Sequence, residues 1–217
     1  MPRTIPRRRA RRQVRSLRVA PVAAVVMMAA ALAGCGSSGT SHMGASPSSR
    51  LEGLLLNPPE RAAPLVLNNY TGQLVSLATI RGKAVFVTFV YTHCPDVCPL
   101  IVSNLASAER SLGAAARDVR ILAVTVDPGR DTPTAIRRFL AARNALGRMD
   151  YLLGSRPRLR ATWRAWHVEV IADNRLLTTG HSAIVYGITA SGRVAVVYPS
   201  GFTPAQIIHD APLLAGM

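Results

Sequence analysis

The sequence has no apolar run at its N-terminus long enough to cross a membrane. The run VAPVAAVVMMAAALAG at 19–34 has 16 residues, and a spanning helix needs roughly 20. Aromatic residues are scarce, at 5%, and the arginines beyond the N-terminal segment are scattered along the chain. A nucleic-acid surface needs basic residues gathered on one element with aromatics among them, so no nucleic-acid partner is expected. Acidic residues are few as well, 11 against 26 Lys and Arg, which gives a formal net charge of +15. Cysteine occurs three times, which confines any thiol chemistry to positions 35, 94 and 98. There is no internal repeat, and nothing marks a second folded domain.

Eight of the 26 basic residues lie in the first 18, MPRTIPRRRARRQVRSLR, ahead of the apolar run. A charged region, an apolar region and a small-residue cleavage site in that order read as a secretory signal over residues 1–34. The site itself, LAGC at 32–35, resembles the bacterial lipobox, in which the cysteine is acylated and becomes the first mature residue. Cys35 is therefore the expected lipidation site, and a lipid anchor on the extracytoplasmic face of the cytoplasmic membrane is the expected location. Without residues 1–34 the chain carries 18 basic and 11 acidic residues, a net charge of +7. The high isoelectric point thus belongs mostly to the signal, and the remaining excess suits a domain near anionic lipid. Residues 36–49, GSSGTSHMGASPSS, hold ten Gly, Ser or Pro among 14. Such a tether spans typically about 20 Å. The lipid-anchored tether is expected over 35–59 and the folded domain over 60–217.

Within that domain, short apolar runs alternate with helical patterns. APLVLNNYTGQLVSLATI reads as a hairpin turning at Asn69 to Gly72. AVFVTFVY at 84–91 is apolar almost throughout, as a strand covered on both faces would be. Apolar residues at helical spacing follow from Pro99. VRILAVTVD is a second buried strand, and TPTAIRRFLAARNAL a helix with Thr132 as N-cap and Pro133 at its first position. A helix near RPRLRATWRAW precedes strand candidates HVEVIA, SAIVYGIT and RVAVVYP, and TPAQIIHDAPLLA closes the chain as a helix. Strands alternating with helices, then a late hairpin, predict one α/β domain with a mixed central sheet flanked by helices.

The chemistry concentrates at HCPDVCP. A disulfide between Cys94 and Cys98 would close a ring of only about five residues, stabilising by about 2 kcal/mol before strain, so a purely structural role explains little. Both cysteines fall where a buried strand gives way to a helix, whose free N–H groups and positive end favour thiolates. Four residues apart, the sulfurs can face one side and either close on each other or share an ion. A metal would need a third donor. His42 lies in the tether and His209 in the last helix, where a solvated side chain is expected. His93 should point away from Cys94, and His167 reads as a packed or edge residue. His181, in TTGHSAIVYG, sits in a loop before a strand; ligands tend to be found in such loops, but read alone a single His there is more often structural. Asp127 and Asp131 of DPGRDTP end the second buried strand. Turn and cap chemistry is the expectation for Asp131, and Asp127 is open between that role and an outer-shell one, orienting a ligand or facing a partner. Asp96, between the cysteines, is expected to be exposed.

FVYTHCPDVCP, VTVDPGRDTP and GHSAIVYGITASGRV, in this order, resemble the SCO/SenC family of copper-binding, thioredoxin-like proteins that help assemble cytochrome c oxidase. The resemblance runs from about residue 60 to the C-terminus and implies a thioredoxin-like fold. It further implies copper, as Cu(I) or Cu(II), on Cys94, Cys98 and His181, a donor set soft enough for that ion. The expected partners are an oxidase copper-site subunit or another copper carrier. Two other functions use the same residues. Cys94 and Cys98 could form the disulfide of a thiol-disulfide oxidoreductase, although such catalysts usually carry two intervening residues. A peroxidase of the peroxiredoxin kind is suggested by Thr92, while the nearby second cysteine and the G-H-S motif count against it.

Overall fold

The structure, a computed structural model, describes residues 50–170 and 183–217. Among them, one eight-stranded mixed sheet runs in the order β1-β8-β7-β4-β5-β6-β2-β3. At its centre β4 (Ala84–Val90) pairs in parallel with β5 (Val119–Thr125), and β5 pairs in parallel with β6 (Asp150–Leu153). On the other side of β4, β7 (Ile184–Ile188) and β8 (Arg193–Pro199) are antiparallel. All seven residues of β4 are buried, which is why its sequence shows no polar alternation. Its one polar member, Thr88, donates its hydroxyl to the Ile184 carbonyl at 3.0 Å.

Helix α1 (Val97–Ser111) links β4 to β5 and α2 (Pro133–Ala141) links β5 to β6, while α4 (Pro204–Ala215) packs beside α1. Phe86 and Phe89, an odd number of residues apart on β4, serve opposite faces. Phe86 meets Tyr198 at 6.2 Å between ring centres, and Tyr198 meets Phe202 at 6.1 Å. Phe89 meets Trp166 at 5.8 Å, at the end of α3 (Arg156–Ala165). Each buried aromatic contributes about 1.5–3 kcal/mol of apolar burial, so both faces must be covered. The expected mixed sheet flanked by helices is what forms.

The hairpin forms as expected from β2 (Val66–Asn69) and β3 (Leu74–Ser76). The Asn69 side-chain oxygen accepts from the N–H groups of Thr71 and Gln73, and Gly72 takes φ 92°. Thr132 caps α2 by accepting the Ala135 N–H at 3.2 Å.

Three points differ in the elements themselves. The folded part begins before residue 60, because β1 (Leu54–Arg61) pairs with β8 inside the stretch read as tether. Pro58 and Pro59 are accommodated there because β1 is an edge strand, where one side of the ladder is unpaired and proline is tolerated. β6 was not anticipated, since four residues are too short to show a period. In HVEVIA the described residues 167–170 are not a strand. Instead His167 takes φ 54°, and Val168 donates its N–H back to the Trp163 carbonyl at 2.8 Å, wrapping the chain off the end of α3.

His209 is not the solvated residue expected. Its side chain is 21% exposed, and Nδ1 lies 2.7 Å from Oδ1 of the fully buried Asp210. Asp210 also accepts the Glu52 N–H, at 3.0 and 2.9 Å to its two oxygens, and the Tyr198 hydroxyl at 2.7 Å. This carboxylate ties residue 52 to β8 and α4. Asp210→Ala is expected to lower the unfolding free energy by about 3 kcal/mol, since it strands donors that a buried charge had satisfied. Urea denaturation checks this, and a change below about 1 kcal/mol would contradict the account.

Candidate metal centre

β4 delivers the chain to the site as a rigid, fully buried rod, and the turn after it sets the two thiols. Cys94 donates its N–H to the Tyr91 carbonyl at 3.4 Å, closing the turn over Thr92 and His93. Asp96 occupies the N-cap position of α1 at φ −126°, exposed and without a side-chain cap bond. Cys98 then lies in the first turn of the helix, and its N–H points at Cys94 Sγ, 3.4 Å away. Cys94 is 8% exposed and Cys98 fully buried. Both are free thiols.

The two thiols are not equivalent. Cys94 is lowered to about 5, first because it accepts a hydrogen bond from the Cys98 thiol, then through the N–H groups of Asp96 and Cys98 and the Tyr91 side chain; burial opposes the shift. Cys98 is raised, first because its proton is held in that bond with Cys94, then by burial and by the negative charges of Cys94 and Asp131. The reduced pair therefore carries one negative charge at neutral pH, on Cys94, with one proton on Cys98. The thiolate faces N–H donors at the start of α1, as its sequence position implied.

Asp131, read from the sequence as turn chemistry, is a buried brace. At 2% exposure, its Oδ1 accepts from the Thr92 N–H at 2.8 Å and the Thr92 hydroxyl at 2.7 Å. Oδ2 accepts from the Thr125 hydroxyl at 2.6 Å and the Tyr151 hydroxyl at 2.7 Å. One carboxylate thus joins the cysteine turn to the end of β5 and to β6. Burial, then the adjacent Asp131 charge, raise the Tyr151 phenol well above its ordinary value, so it stays a donor. A signal was present: Thr132 already caps α2, which left Asp131 with no cap to make.

The other candidates are placed as follows. Asp127 pairs with Arg130, 2.5 Å from Oδ2 to Nε, and its carbonyl accepts the N–H groups of Arg130 and Asp131. Its carboxylate therefore shapes the β5–α2 loop. His93 is exposed, with Nδ1 2.9 Å from the Thr92 hydroxyl. His167 is exposed on its turn. His181, Cys35 and His42 lie outside the described residues. Among the described residues no group of three or more His, Cys, Asp or Glu is placed to hold a metal ion, so Cys94 and Cys98 supply two soft donors and would need a third from elsewhere. Nor is any described helix long and apolar enough to cross a membrane.

Two outcomes follow. Alkylation of the reduced, metal-free protein at Cys94 is expected to be independent of pH above about 6 and to fall as pH drops through about 5. An ordinary thiol would instead accelerate through pH 8–9, which a stopped-flow pH profile distinguishes. Asp131→Ala is expected to destabilise the domain by about 3 kcal/mol in urea, because four donors lose a charged acceptor. A loss below about 1 kcal/mol would show that the brace carries no load.

Residues 57–214 match the family model described as SCO1/SenC. A Stutzerimonas stutzeri protein that carries the description of a copper-binding protein is 31% identical over 164 residues, 74% of each chain. ScoI of Bradyrhizobium japonicum, solved with copper bound, superposes with a TM-score of 0.62 at 26% identity, covering 71% of this chain and 99% of that one. BsSco, described as a member of the Sco family of cytochrome c oxidase assembly proteins, superposes at 0.63 with 23% identity, over 76% and 99%. The eight-stranded sheet and its helices are the thioredoxin-like fold of these Sco structures. Matched from β1 to α4 by one family model, the chain belongs to the SCO1/SenC family.

Proposed function

We propose that the chain is a copper-binding assembly factor, which carries a copper ion and delivers it to, or prepares, the copper site of a membrane cytochrome c oxidase. Cys94, Cys98 and His181 are the proposed ligands. The observation that carries the reading is the buried thiol pair at the start of α1, with Cys94 at 8% and Cys98 at 0% exposure and the Cys98 N–H 3.4 Å from Cys94 Sγ. Two thiolates and an imidazole form a soft to borderline set suited to Cu(I), and shielding from water favours that oxidation state. Zinc would accept the same donors but would want a fourth. His181 enters through the GHS motif and the family resemblance. The oxidase connection rests on the family and on the words attached to BsSco.

Acylation of Cys35 would hold the domain at the extracytoplasmic face of the membrane. The Gly/Ser-rich tether would keep it within roughly 20 Å of the bilayer, where a membrane oxidase presents its sites.

The asymmetry of the thiols favours a second reading, thiol-disulfide exchange with Cys94 as the attacking thiolate. Both uses need the reduced pair, and His181 separates them. The reduced protein is expected to bind one copper ion. His181→Ala is expected to weaken that binding by at least about 100-fold, since even groups that only orient a ligand cost 10–100-fold when removed. Unchanged affinity in a competition titration would remove His181 from the site. Disulfide turnover that survives His181→Ala but is lost in Cys94→Ala would assign the exchange chemistry.

A further inference from the structure

Helix α3 carries four arginines, Arg156, Arg158, Arg160 and Arg164, and no acidic residue. Its inner face is fixed by the core, through Leu159, Thr162 and Trp166, all buried. Arg156, Arg160 and Arg164 stand four residues apart along one flank of that face and are all exposed, so they form one row about 12 Å long. No ion pair forms between this row and any acidic residue among the described residues.

Helix stability does not explain the row. Like charges four residues apart repel. Arg156 and Arg158 also sit in the first turn, where the helix dipole disfavours cations, and Ser155 makes no side-chain cap bond to offset this. Only Arg164, in the last turn, suits the dipole, so the helix itself accounts for one charge of the row and not for the others.

The row begins at the edge of the sheet that carries the thiols. A methyl group placed on Gly129 would lie 3.6 Å from Arg156 Nη2 and 3.8 Å from Asp127 Oδ1, so the guanidinium reaches the β5–α2 loop. That same loop supplies Asp131, which holds Thr92, two residues before Cys94. A partner seated along the row would therefore touch the rim of the cysteine turn. Among the described residues, the large exposed apolar side chains are Leu54, Leu55, Val66, Leu74, Leu100, Leu146 and Met217, none of them on α3. A helix that lies in a bilayer interface inserts an apolar face, and α3 has none to offer. Its charge without apolar wedges suits a carboxylate-rich protein surface.

We infer that the Arg156–Arg160–Arg164 row of α3 is the docking surface for an acidic face of the protein that exchanges with the Cys94–Cys98 pair. The partner's identity rests on the function proposed above. Docking through rim charges acts chiefly on association rate and is salt-dependent.

The test uses the reduced, metal-free full chain in non-ionic detergent, with the purified copper-site domain of a cytochrome c oxidase subunit from the same cell as probe. Titration calorimetry measures affinity for the wild type and for the triple variant Arg156→Gln/Arg160→Gln/Arg164→Gln. The variant is expected to bind at least tenfold more weakly, and salt raised from about 0.05 to 0.5 M should weaken the wild type in the same direction. The variant's melting temperature should not fall, because repelling charges are removed; a fall would assign the row to stability. Equal affinities of variant and wild type, or no binding by the wild type, overturn the inference. So does loss of binding to phosphatidylglycerol vesicles with affinity for the domain unchanged, which would assign the row to the membrane. Copper uptake is measured separately on both proteins. Its absence in the wild type would remove the copper function while the titration still reads the docking surface.

Discussion

A single buried carboxylate has to be satisfied where β4, β5 and β6 deliver their ends. Asp131 gathers Thr92, Thr125 and Tyr151 around its two oxygens, and every donor is neutral. A charge so deeply buried is tolerated only when its lone pairs are filled, so the three segments are held in one arrangement. The cysteine turn inherits that arrangement, since Thr92 leads directly to Cys94. The same charge helps keep Cys98 protonated. Fold and reactivity thus share one group, and the position of the thiols follows from the satisfaction of a carboxylate that touches neither.

From this follows the division of labour within the pair. Cys94 accepts the hydrogen bonds and is ionised; Cys98 donates and stays protonated. One charged sulfur and one removable proton make a site poised for a soft cation, which would replace that proton, or for exchange, in which the charged sulfur attacks first. Opposite the sheet's central strands, Asp210 repeats the device for a structural end, closing residue 52 against Tyr198 and α4. Two buried aspartates therefore hold the domain, one under the site and one under the N-terminal edge strand.

What the sequence made legible was whatever announced itself by period or by local chemistry. β4 was readable because both its faces are buried, the hairpin because Asn69 and Gly72 specify its turn, and α2 because Thr132 and Pro133 begin it. The Cys94–Cys98 pair was readable from its place between strand and helix. Tertiary contacts hid the rest. β1 reads as tether because no alternation marks it and its pairing with β8 is long-range, β6 was too short to show a period, and His167 turns the chain by a backbone wrap that no spacing predicts. Asp131 and His209 were underrated for a common reason. Asp131 is satisfied by donors on other elements, Tyr151 among them, and the Asp210 that holds His209 is itself fixed by Glu52 and Tyr198 from outside α4, so no local pattern announces either.

The claim at the centre is that copper is held by both sulfurs of the β4–α1 junction together with one imidazole. X-ray absorption at the copper edge, on the reduced full chain loaded with one equivalent, tests it directly. The account predicts a first shell containing two sulfur scatterers and one imidazole nitrogen, with both sulfur contributions lost in Cys94→Ser/Cys98→Ser. A shell of nitrogen and oxygen alone, or one unchanged in that double variant, would contradict it.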